Sequence, residues 1–457
     1  MNVMTRVVIP ALAGLILFNA TGVHANSTTQ ECCDCASEIE RVTSTPIILD
    51  IHFNHRKLGF VYDNNWPVEK CASGLTGILL NNTTPVDIHG IRAYNLMLAS
   101  GDLPDIVGGR GLRTQFNTDG PQGYFFPLND LIKKHAPHID AFFDENPDIL
   151  ADVSAPDGNL YHIPFMPDGE FARAYFIRTD WLEALNLDVP DTVDDLYNVL
   201  KAFKNDDPNC NGVNDETPYF VRDHMEVLRL VTLWGARTSG SLASHDFYVK
   251  DGRITHGYIE DSFRVGIENL AKWFSEGLID QEAYSREGDV RRDMLASNTS
   301  GMTHDWFAST ASFNEHLDEE IEGFSFKPIA PPENINGVRI EETRRTTLKP
   351  DGWAITRDNK FPVETMKYFD FWYSPYGGRL ANLGIEGSEY TLVDGKPVFA
   401  YEVLNADTPV NEQLWSIGAQ IPLGFLQNYE YERQWTNEIA LEGMNAYEKA
   451  VTWQMSF

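Results

Sequence analysis

Basic side chains are scarce in this chain. It has 36 Lys and Arg side chains against 67 Asp and Glu side chains, a formal net charge of −31. So negative a surface repels nucleic acid and anionic membranes, and it suits a protein kept soluble where salt screens long-range repulsion. The composition therefore argues against a nucleic-acid partner, and an anionic ligand would need positive charge supplied by its own site.

The common catalytic signatures are also absent. The sequence has no G-x-S-x-G elbow, no P-loop, no G-x-G-x-x-G and no H-E-x-x-H, which mark hydrolases, nucleotide-binding proteins and zinc proteases. Repeats and low-complexity tracts are missing, and beyond residue 18 no apolar stretch approaches membrane length. These absences point away from the best-known enzyme classes.

Cysteine is rare and odd in number. Three of the five cysteines, Cys32, Cys33 and Cys35, stand close together, and Cys71 and Cys210 stand alone. The cluster could be a metal tract, or it could form disulfides, including one with Cys71. We predict no disulfide framework.

The first residues read as a secretory signal. Arg6 supplies the positive charge, residues 7–18 the apolar segment, and Val23-His24-Ala25 the cleavage pattern. We expect a signal peptide over 1–25, a flexible tail over 26–44 and a soluble periplasmic protein.

The segment 207–216 has the spacing of a calcium loop. Oxygen donors alternate along it, Gly212 stands at the sharp turn, and Ca²⁺ takes six to eight oxygens. Pro218 replaces the usual twelfth-position glutamate, so Glu216 must close the shell. The alternative is an Asn/Gly surface turn without a metal. The predicted ligands of a structural Ca²⁺ are Asp207, Asn209, Asn211, Val213, Asp215 and Glu216.

The length and the pattern of elements predict two α/β domains. Apolar strands at 46–53, 76–80 and 105–107 alternate with helices, which is typical of a parallel sheet. The segment 157–164 could cross into a second, more helical domain, and 349–355 could return to the first. Asp251-Gly252 and Asp394-Gly395 predict two hairpins.

Two helices of the second domain have clear patterns. Thr192 and Asp195 form a capping box ahead of an apolar stripe at 196, 199, 200 and 203. A second stripe runs through Phe263, Ile267, Leu270 and Phe274, and Gly277 ends that helix.

Aromatic residues cluster with polar neighbours at 304–309 and 428–437. A sugar ring offers an apolar face and a rim of hydroxyls, so its site needs aromatic platforms beside hydrogen-bonding groups. Trp306 and Trp435 are the candidate platforms, although either could instead belong to the core.

Long stretches of the chain resemble the periplasmic alginate-oligosaccharide-binding proteins of ABC importers. Among them are Gly-Met-Thr-His-Asp-Trp-Phe-Ala-Ser-Thr at 301–310 and Tyr-Glu-Tyr-Glu-Arg-Gln-Trp-Thr-Asn at 429–437. The likeness covers about residues 45–447. The other matching stretches are 53–67, 98–109, 155–159, 176–182, 199–203, 234–237, 345–355 and 418–425.

The resemblance implies a two-lobe periplasmic binding protein fold, type II-like, with a hinge between α/β lobes that close over a sugar chain. It places an N-lobe at 45–160, a mainly C-lobe segment at 161–345 that holds the calcium loop, and return segments at 346–457. It also implies a monomer that works with the transmembrane subunits of a permease. The implied sugar contacts are Trp306, Ser309, Tyr431, Glu432 and Trp435.

This chain departs from the family pattern in three places. Phe165 stands where the family has Tyr, which keeps stacking but loses a hydroxyl; an extra residue lies near 56–58. After Tyr447 the family pattern gives way to a short ending at Phe457, from which we expect lower stability.

Several alternatives stay open at this point. The ligand could be a neutral or glycosaminoglycan-type oligosaccharide, with Arg433, His304 and Arg222 as candidate positive charges if it is acidic. An enzyme on the same sugars, a lyase or a hydrolase, would use Asp305 and Glu432. A ligand-presenting partner of a chemoreceptor would share the same binding chemistry.

Overall fold

The computed structural model describes residues 41–450 except 56–60, 86, 89, 167–172, 223, 239–246, 286–289, 315–316, 318–320, 342–347, 350, 407, 409 and 422, and it leaves aside the side chains at 308, 309, 312, 429, 432 and 448. The predicted signal peptide, Cys32, Cys33 and Cys35 therefore lie outside the described residues, as does the extra residue near 56–58. Within the described part of the chain, no helix is long and apolar enough to cross a membrane.

Strands and helices alternate from residue 47 to residue 109, as the sequence predicts, and farther along the chain runs of consecutive helices or strands interrupt the alternation. The strands are β1 (Ile47–Asn54), β2 (Ile78–Asn82), β3 (Ile106–Gly109), β4 (Ile163–Pro164), β5 (Arg173–Arg178), β6 (Thr217–Tyr219), β7 (Phe247–Lys250), β8 (Arg253–His256), β9 (Ser300–Trp306), β10 (Phe326–Ile329), β11 (Gly352–Ile355), β12 (Tyr390–Val393) and β13 (Lys396–Phe399). The helices are α1 (Pro67–Thr76), α2 (Gly90–Ser100), α3 (Arg113–Asp119), α4 (Asn129–His135), α5 (Pro137–Glu145), α6 (Pro147–Val153), α7 (Thr179–Ala184), α8 (Val193–Asn205), α9 (His224–Leu228), α10 (Asp261–Ser275), α11 (Arg291–Ala296), α12 (Phe307–Ala311), α13 (Pro362–Tyr373), α14 (Pro375–Leu383), α15 (Tyr401–Leu404), α16 (Val410–Ser416), α17 (Tyr429–Trp435) and α18 (Glu438–Ala450).

One lobe is built on a five-stranded sheet of order β2-β1-β3-β11-β4. Strands β1, β2 and β3 are parallel, and β11 runs antiparallel between β3 and β4. Alternate residues of β11 face different apolar clusters: Trp353 and Ile355 join one, and Ala354 the other. The sheet is therefore covered on both faces, and the predicted return of 349–355 to the first domain is confirmed.

The other lobe is built on a four-stranded sheet of order β10-β5-β9-β6. Alternation along β5 puts Tyr175 and Ile177 in one apolar cluster, and Ala174 and Phe176 in another. Helices α8 and α10 pack on the first side, whereas α12 and α18 pack on the second. Each lobe thus has its own core.

The chain changes sheets between β4 and β5, between β10 and β11, and again between α17 and α18. Because β4 pairs with β11, the expected crossing at 157–164 was placed too early, and the change of sheet comes after Pro164. Several such crossings side by side are typical of a hinge between lobes. The exact domain limits stay a prediction.

Helix α8 forms as its sequence predicts. The Thr192 side chain accepts from the Asp195 backbone N–H and the Asp195 carboxylate accepts from the Thr192 N–H. The predicted apolar stripe at 196, 199, 200 and 203 is buried. The helix thus leads directly into the segment 207–216.

Helix α10 packs three of its four predicted residues, Phe263, Leu270 and Phe274, against the apolar cluster of the second lobe. Its buried residues are Gly266, Leu270 and Trp273, whereas Ile267 is 36% exposed. A Cβ on Gly266 would lie 2.8 Å from Cβ of Val231, so the helix packs closely at this glycine. The predicted stripe is thus confirmed except at Ile267, and Gly266 and Trp273 join the packed face.

The two Asp-Gly hairpins are confirmed as β7–β8 and β12–β13. Both residues of each turn have positive φ, 51° and 75° for Asp251 and Gly252, and the same for Asp394 and Gly395. This is the turn geometry that Asp-Gly favours.

Candidate functional site

Strand β9 carries the predicted platform Trp306 at its last position. The Trp306 residue is 43% exposed, whereas His304 and Asp305 are 3% and 0% exposed. An indole left this open at the end of a buried strand can meet a ligand without any rearrangement of the core. Its cross-strand neighbour on β5 is Arg173.

A cluster of charged side chains lies beneath Trp306. Asp305 contacts Arg173 at 3.6 Å, Arg222 at 3.1 Å and also Arg291. Glu226 contacts Arg173 at 3.1 Å, Arg222 at 2.6 Å and Arg229 at 3.3 Å. Both carboxylates are almost fully buried, and buried charges persist when they are paired in this way.

Glu226 is held as an anion by this arrangement. The arginines, with Arg222 first, outweigh the effect of burial and lower the pKa of Glu226 to about 2. Asp305 also accepts a hydrogen bond from the Trp306 backbone N–H at 2.8 Å. An acid or base that must exchange protons with a sugar is poorly served by such partners, so Asp305 is better suited to fixing structure.

His304 is buried beside a second carboxylate. Its Nε2 lies 2.8 Å from Oε2 of Glu341, and its ring lies 4.6 Å from that of Tyr175. The His304 ring is therefore directed at Glu341. Arg222, whose side chain is 26% exposed, is the more accessible of these two predicted positive charges.

Helix α17 carries the second group of predicted contacts. Tyr431 and Trp435 are four residues apart, on one helix face, and both are half-buried against the apolar cluster of the first lobe. Burial raises the pKa of Tyr431. The Nε1 of Trp435 is buried and has no hydrogen-bond partner among the described residues. The side chains of Glu432 and Ser309 lie outside the described part.

The segment between α17 and α18 brings the two tryptophans toward each other. Phe307, which follows Trp306, packs on Tyr447 of α18 with ring centroids 5.2 Å apart. Ala440 belongs to the same apolar cluster, and five residues of chain span at most about 18 Å, which limits the distance from Ala440 to Trp435. Neither tryptophan is sealed in a core. That they face one cleft stays a prediction.

Phe165 is more deeply buried than a sugar platform would be. It is 5% exposed, its ring centroid lies 4.8 Å from that of Phe425, and the Lys349 ammonium lies 5.0 Å from the same centroid. Contact between the Phe165 ring and a sugar would therefore require these neighbours to move.

Sequence reasoning missed Arg173 and Glu226. Arg173 lies on β5 and Glu226 on α9, in separate segments of the chain, and packing of the second lobe brings them to within 3.1 Å. A local motif cannot reveal such a cluster; the useful signal is charge inside an otherwise apolar strand such as Arg-Ala-Tyr-Phe-Ile-Arg at 173–178.

The segment 207–216 folds as a compact loop held by its own polar side chains. Asp207 accepts from the backbone N–H of Asn211 at 3.0 Å and of Gly212 at 2.9 Å, and Asn211 Oδ1 accepts from Val213 N–H at 2.6 Å. Gly212 has φ 77°, as the sharp turn requires. Strand β6 follows at once and contains Pro218, so the loop leads into a strand and not into a second helix.

Glu216 is the part of this loop that best fits a cation. It is 2% exposed, and neither carboxylate oxygen has a hydrogen-bond partner in the described structure. Burial raises its pKa, and the negative charges of Asp215 and Asp207 raise it further. A hard cation would supply the missing partner. The donor set is suitable, although no group of three His, Cys, Asp or Glu side chains within the described ranges is already gathered as a metal site.

Cys210 in this loop is a free, exposed thiol. Cys71 takes part in a disulfide bond whose partner lies outside the described residues. At least one disulfide bond therefore exists, as the sequence left open for Cys71, although the sequence predicts no disulfide framework.

Comparison with known proteins gives a consistent result. The family model for bacterial extracellular solute-binding proteins matches residues 89–378, more than half of the chain. The alginate-binding protein AlgQ2, in a crystal structure without calcium ion, is 47% identical in sequence to this chain. The two structures match with a TM-score of 0.81 over 91% of this chain and 86% of AlgQ2.

More distant relatives carry other sugars in their names. The fructooligosaccharide ABC transporter substrate-binding protein FusA of Streptococcus pneumoniae serotype 4 is 27% identical over 351 residues, 73% of this chain and 63% of FusA. The match thus spans less than two thirds of FusA. The polygalacturonan/rhamnogalacturonan-binding protein YtcQ of Bacillus subtilis is 25% identical over 250 residues, 54% of this chain and 48% of YtcQ.

Proposed function

This chain belongs to the bacterial extracellular solute-binding protein family, and we propose that it captures acidic, alginate-like oligosaccharides in a cleft between its two lobes and delivers them to the permease of an ABC importer. The observation that carries the proposal is the 43% exposed indole of Trp306 at the end of a strand whose preceding residues are buried. The high identity to an alginate-binding protein supports the choice of sugar.

The proposed ligand contacts come from both lobes. Trp306 and Ser309 belong to the C-lobe, whereas Tyr431, Glu432, Trp435 and Phe165 belong to the N-lobe or to the segment joining it to α18. Aromatic faces would cover the apolar side of the sugar rings, and the polar groups would bind hydroxyls and carboxyls. Closure of the lobes would then bury the ligand.

We further propose that the loop 207–216 binds a structural Ca²⁺ with Asp207, Asn209, Asn211, Val213, Asp215 and Glu216 as ligands. The buried, unpartnered carboxylate of Glu216 supports this proposal. The positive charge of the ion would offset the three carboxylates of the loop. Its bonds to the loop would hold the end of α8 next to β6, so its role would be structural.

The proposed setting is the periplasm, where the protein would act as a monomer before docking on the transmembrane subunits. The sugar is released uncut in this account. The family and the similar structures are binding proteins.

The direct test of the site is a pair of variants, Trp306→Ala and Phe361→Ala. Phe361 is also well exposed, at 40%. It follows the end of β11, which pairs with the amino end of β3. Ligands in such folds bind at the carboxyl ends of the parallel strands, so Phe361 lies at the opposite edge of that sheet. Titration with an oligoalginate should show a loss of affinity of about fivefold to 150-fold for Trp306→Ala, which corresponds to the roughly 1–3 kcal/mol of a lost aromatic stack. Phe361→Ala should bind as the wild type does.

Equal affinity of wild type and Trp306→Ala would overturn the site. Chromatography of the sugar after prolonged incubation completes the test, because shortened chains would overturn the binding-only account and favour a lyase or hydrolase.

A further inference from the structure

We propose that Arg173 is a positioning and specificity-determining residue that holds the indole of Trp306 from behind and makes its open face favour anionic over neutral sugars. This inference rests on the proposed function, since it concerns how the same site selects uronates.

The geometry pairs the two residues directly. Arg173 and Trp306 are register partners across β5 and β9, and the guanidinium carbon lies 4.5 Å from the centroid of the indole. One face of the ring is thus covered by a planar cation. No aromatic ring of the described structure stacks on Trp306, so the guanidinium is the planar group that lies over its ring.

Arg173 is itself held firmly. Its Nη1 donates to Oε1 of Glu226 at 3.1 Å, and it lies 3.6 Å from Asp305. Burial, with the nearby charge of Arg229, lowers the pKa of Arg173 to about 10, which leaves it cationic at neutral pH. A buried, doubly paired guanidinium is a rigid support for an exposed ring.

The support has an electrostatic consequence. The negative faces of an indole attract a cation, and a cation behind the ring makes the potential at the opposite face more positive. A neutral sugar presents weakly positive C–H groups to that face, so its stacking is weakened. A uronate brings a carboxylate close to the same face, and its binding is strengthened. The pair therefore selects charge through the ring, without a direct bond from Arg173 to the sugar.

The test compares Arg173→Met, Arg173→Lys and the control Arg264→Met. In Arg173→Met both carboxylates keep partners, since Arg222 contacts Glu226 and Asp305 alike, so folding is expected to survive. Arg264 lies on the exposed surface of α10 with a 63% exposed side chain. Affinity for an oligouronate and for a neutral oligosaccharide of equal length is measured by calorimetry, with near-ultraviolet circular dichroism to follow the indole environment.

The expected result is that Arg173→Met lowers the ratio of uronate to neutral affinity by roughly tenfold, equivalent to about 1.4 kcal/mol. Arg173→Lys should keep part of the ratio because it keeps a charge, but it should change the dichroism signal because a point charge does not stack as a plane. Arg264→Met should change neither.

A double-mutant cycle with Trp306→Leu separates selection through the ring from a general effect of charge. The ratio change caused by Arg173→Met should vanish in the Trp306→Leu background. A folded Arg173→Met protein with an unchanged ratio, or a ratio change that persists without the indole, overturns this inference while leaving uronate uptake intact. A wild-type protein that binds only the neutral sugar overturns the proposed function instead.

Discussion

Asn209 donates a hydrogen bond from its side-chain Nδ2 to the backbone carbonyl of Asn298 at 2.9 Å. Asn298 stands two residues before β9, whose last residue is Trp306. The backbone N–H of Thr217, directly after the loop, donates to the carbonyl of Thr299 at 2.7 Å. The proposed metal loop is therefore bound to the beginning of the strand that presents the exposed indole.

Removing Ca²⁺ should lower the stability of the protein, and Glu216→Gln should remove the effect. A ligand at about 100 times its Kd stabilises the folded state by about 2.7 kcal/mol, so a chelator should lower the Tm by several degrees. The measurement is thermal unfolding with calcium and with chelator. In chelator, Glu216→Gln should be at least as stable as the wild type, because it no longer buries an unpartnered charge.

The control for this experiment is Asp206→Asn. Asp206 is exposed and adjacent to the loop but outside the proposed ligand set, so this variant should keep the full response to calcium. A wild-type Tm that is the same with calcium and with chelator would show that the loop is only a polar turn.

Gly301→Ala should destabilise the C-lobe. A Cβ at Gly301 would lie 2.6 Å from Cδ2 of Phe203 and 2.9 Å from the carbonyl oxygen of Pro218. Forcing a methyl group into a packed site costs about 1–3 kcal/mol. Urea unfolding measures the change in the free energy of unfolding.

Gly74→Ala is the matched control for that change. Gly74 lies in α1, and a Cβ added to it would meet nothing within 4 Å, so the same substitution should stabilise the protein by roughly 0.5–1 kcal/mol. If both variants lose stability equally, the tight contact between β9 and α8 is wrong.

Glu69→Gln should remove a loss of stability that the wild type suffers as the pH rises. Burial raises the pKa of Glu69 to about 7, although a hydrogen bond from Tyr368 opposes the rise. The folded protein then holds a proton that the unfolded chain releases above its ordinary pKa of 4.5. The free energy of unfolding therefore falls by at most about 3 kcal/mol between about pH 4.5 and pH 7, and it stays level above pH 7.

The informative quantity is the difference between Glu69→Gln and wild type, measured by urea unfolding at several pH values. Burial lowers the pKa of His52 to about 4, so its titration raises the free energy of unfolding as the pH rises. This contribution is present in both proteins and therefore cancels in the difference. The exposed Glu145→Gln should follow the wild type. A difference that does not change between pH 4.5 and 7.5 would contradict the raised pKa.

Much of the fold could be predicted from the sequence because local chemistry determines it. The capping box of Thr192 and the Asp-Gly turns act over four residues or fewer, and each is found as expected. The packing of α10 at Gly266 and the exposure of Ile267 could not be predicted, because they depend on how closely Gly266 approaches Val231, a contact between distant segments.

In the candidate site, too, local features could be predicted from the sequence and long-range contacts could not. The exposed position of Trp306 agrees with its polar neighbours in the sequence, and the proposed ligands of the loop 207–216 rest on spacing alone. The burial of His304 against Glu341 and the stacking of Arg173 on Trp306 depend on strand pairing and on packing across the sheet. Periodicity does not contain that information.

Binding of acidic oligosaccharides by the cleft is tested most directly by calorimetric titration of the wild-type protein in the presence of calcium. An oligoalginate and a neutral oligosaccharide of equal length are each titrated under identical conditions. The account predicts saturable heat with the oligoalginate and much weaker binding, or none, with the neutral sugar. Saturable heat with the neutral sugar alone would contradict it.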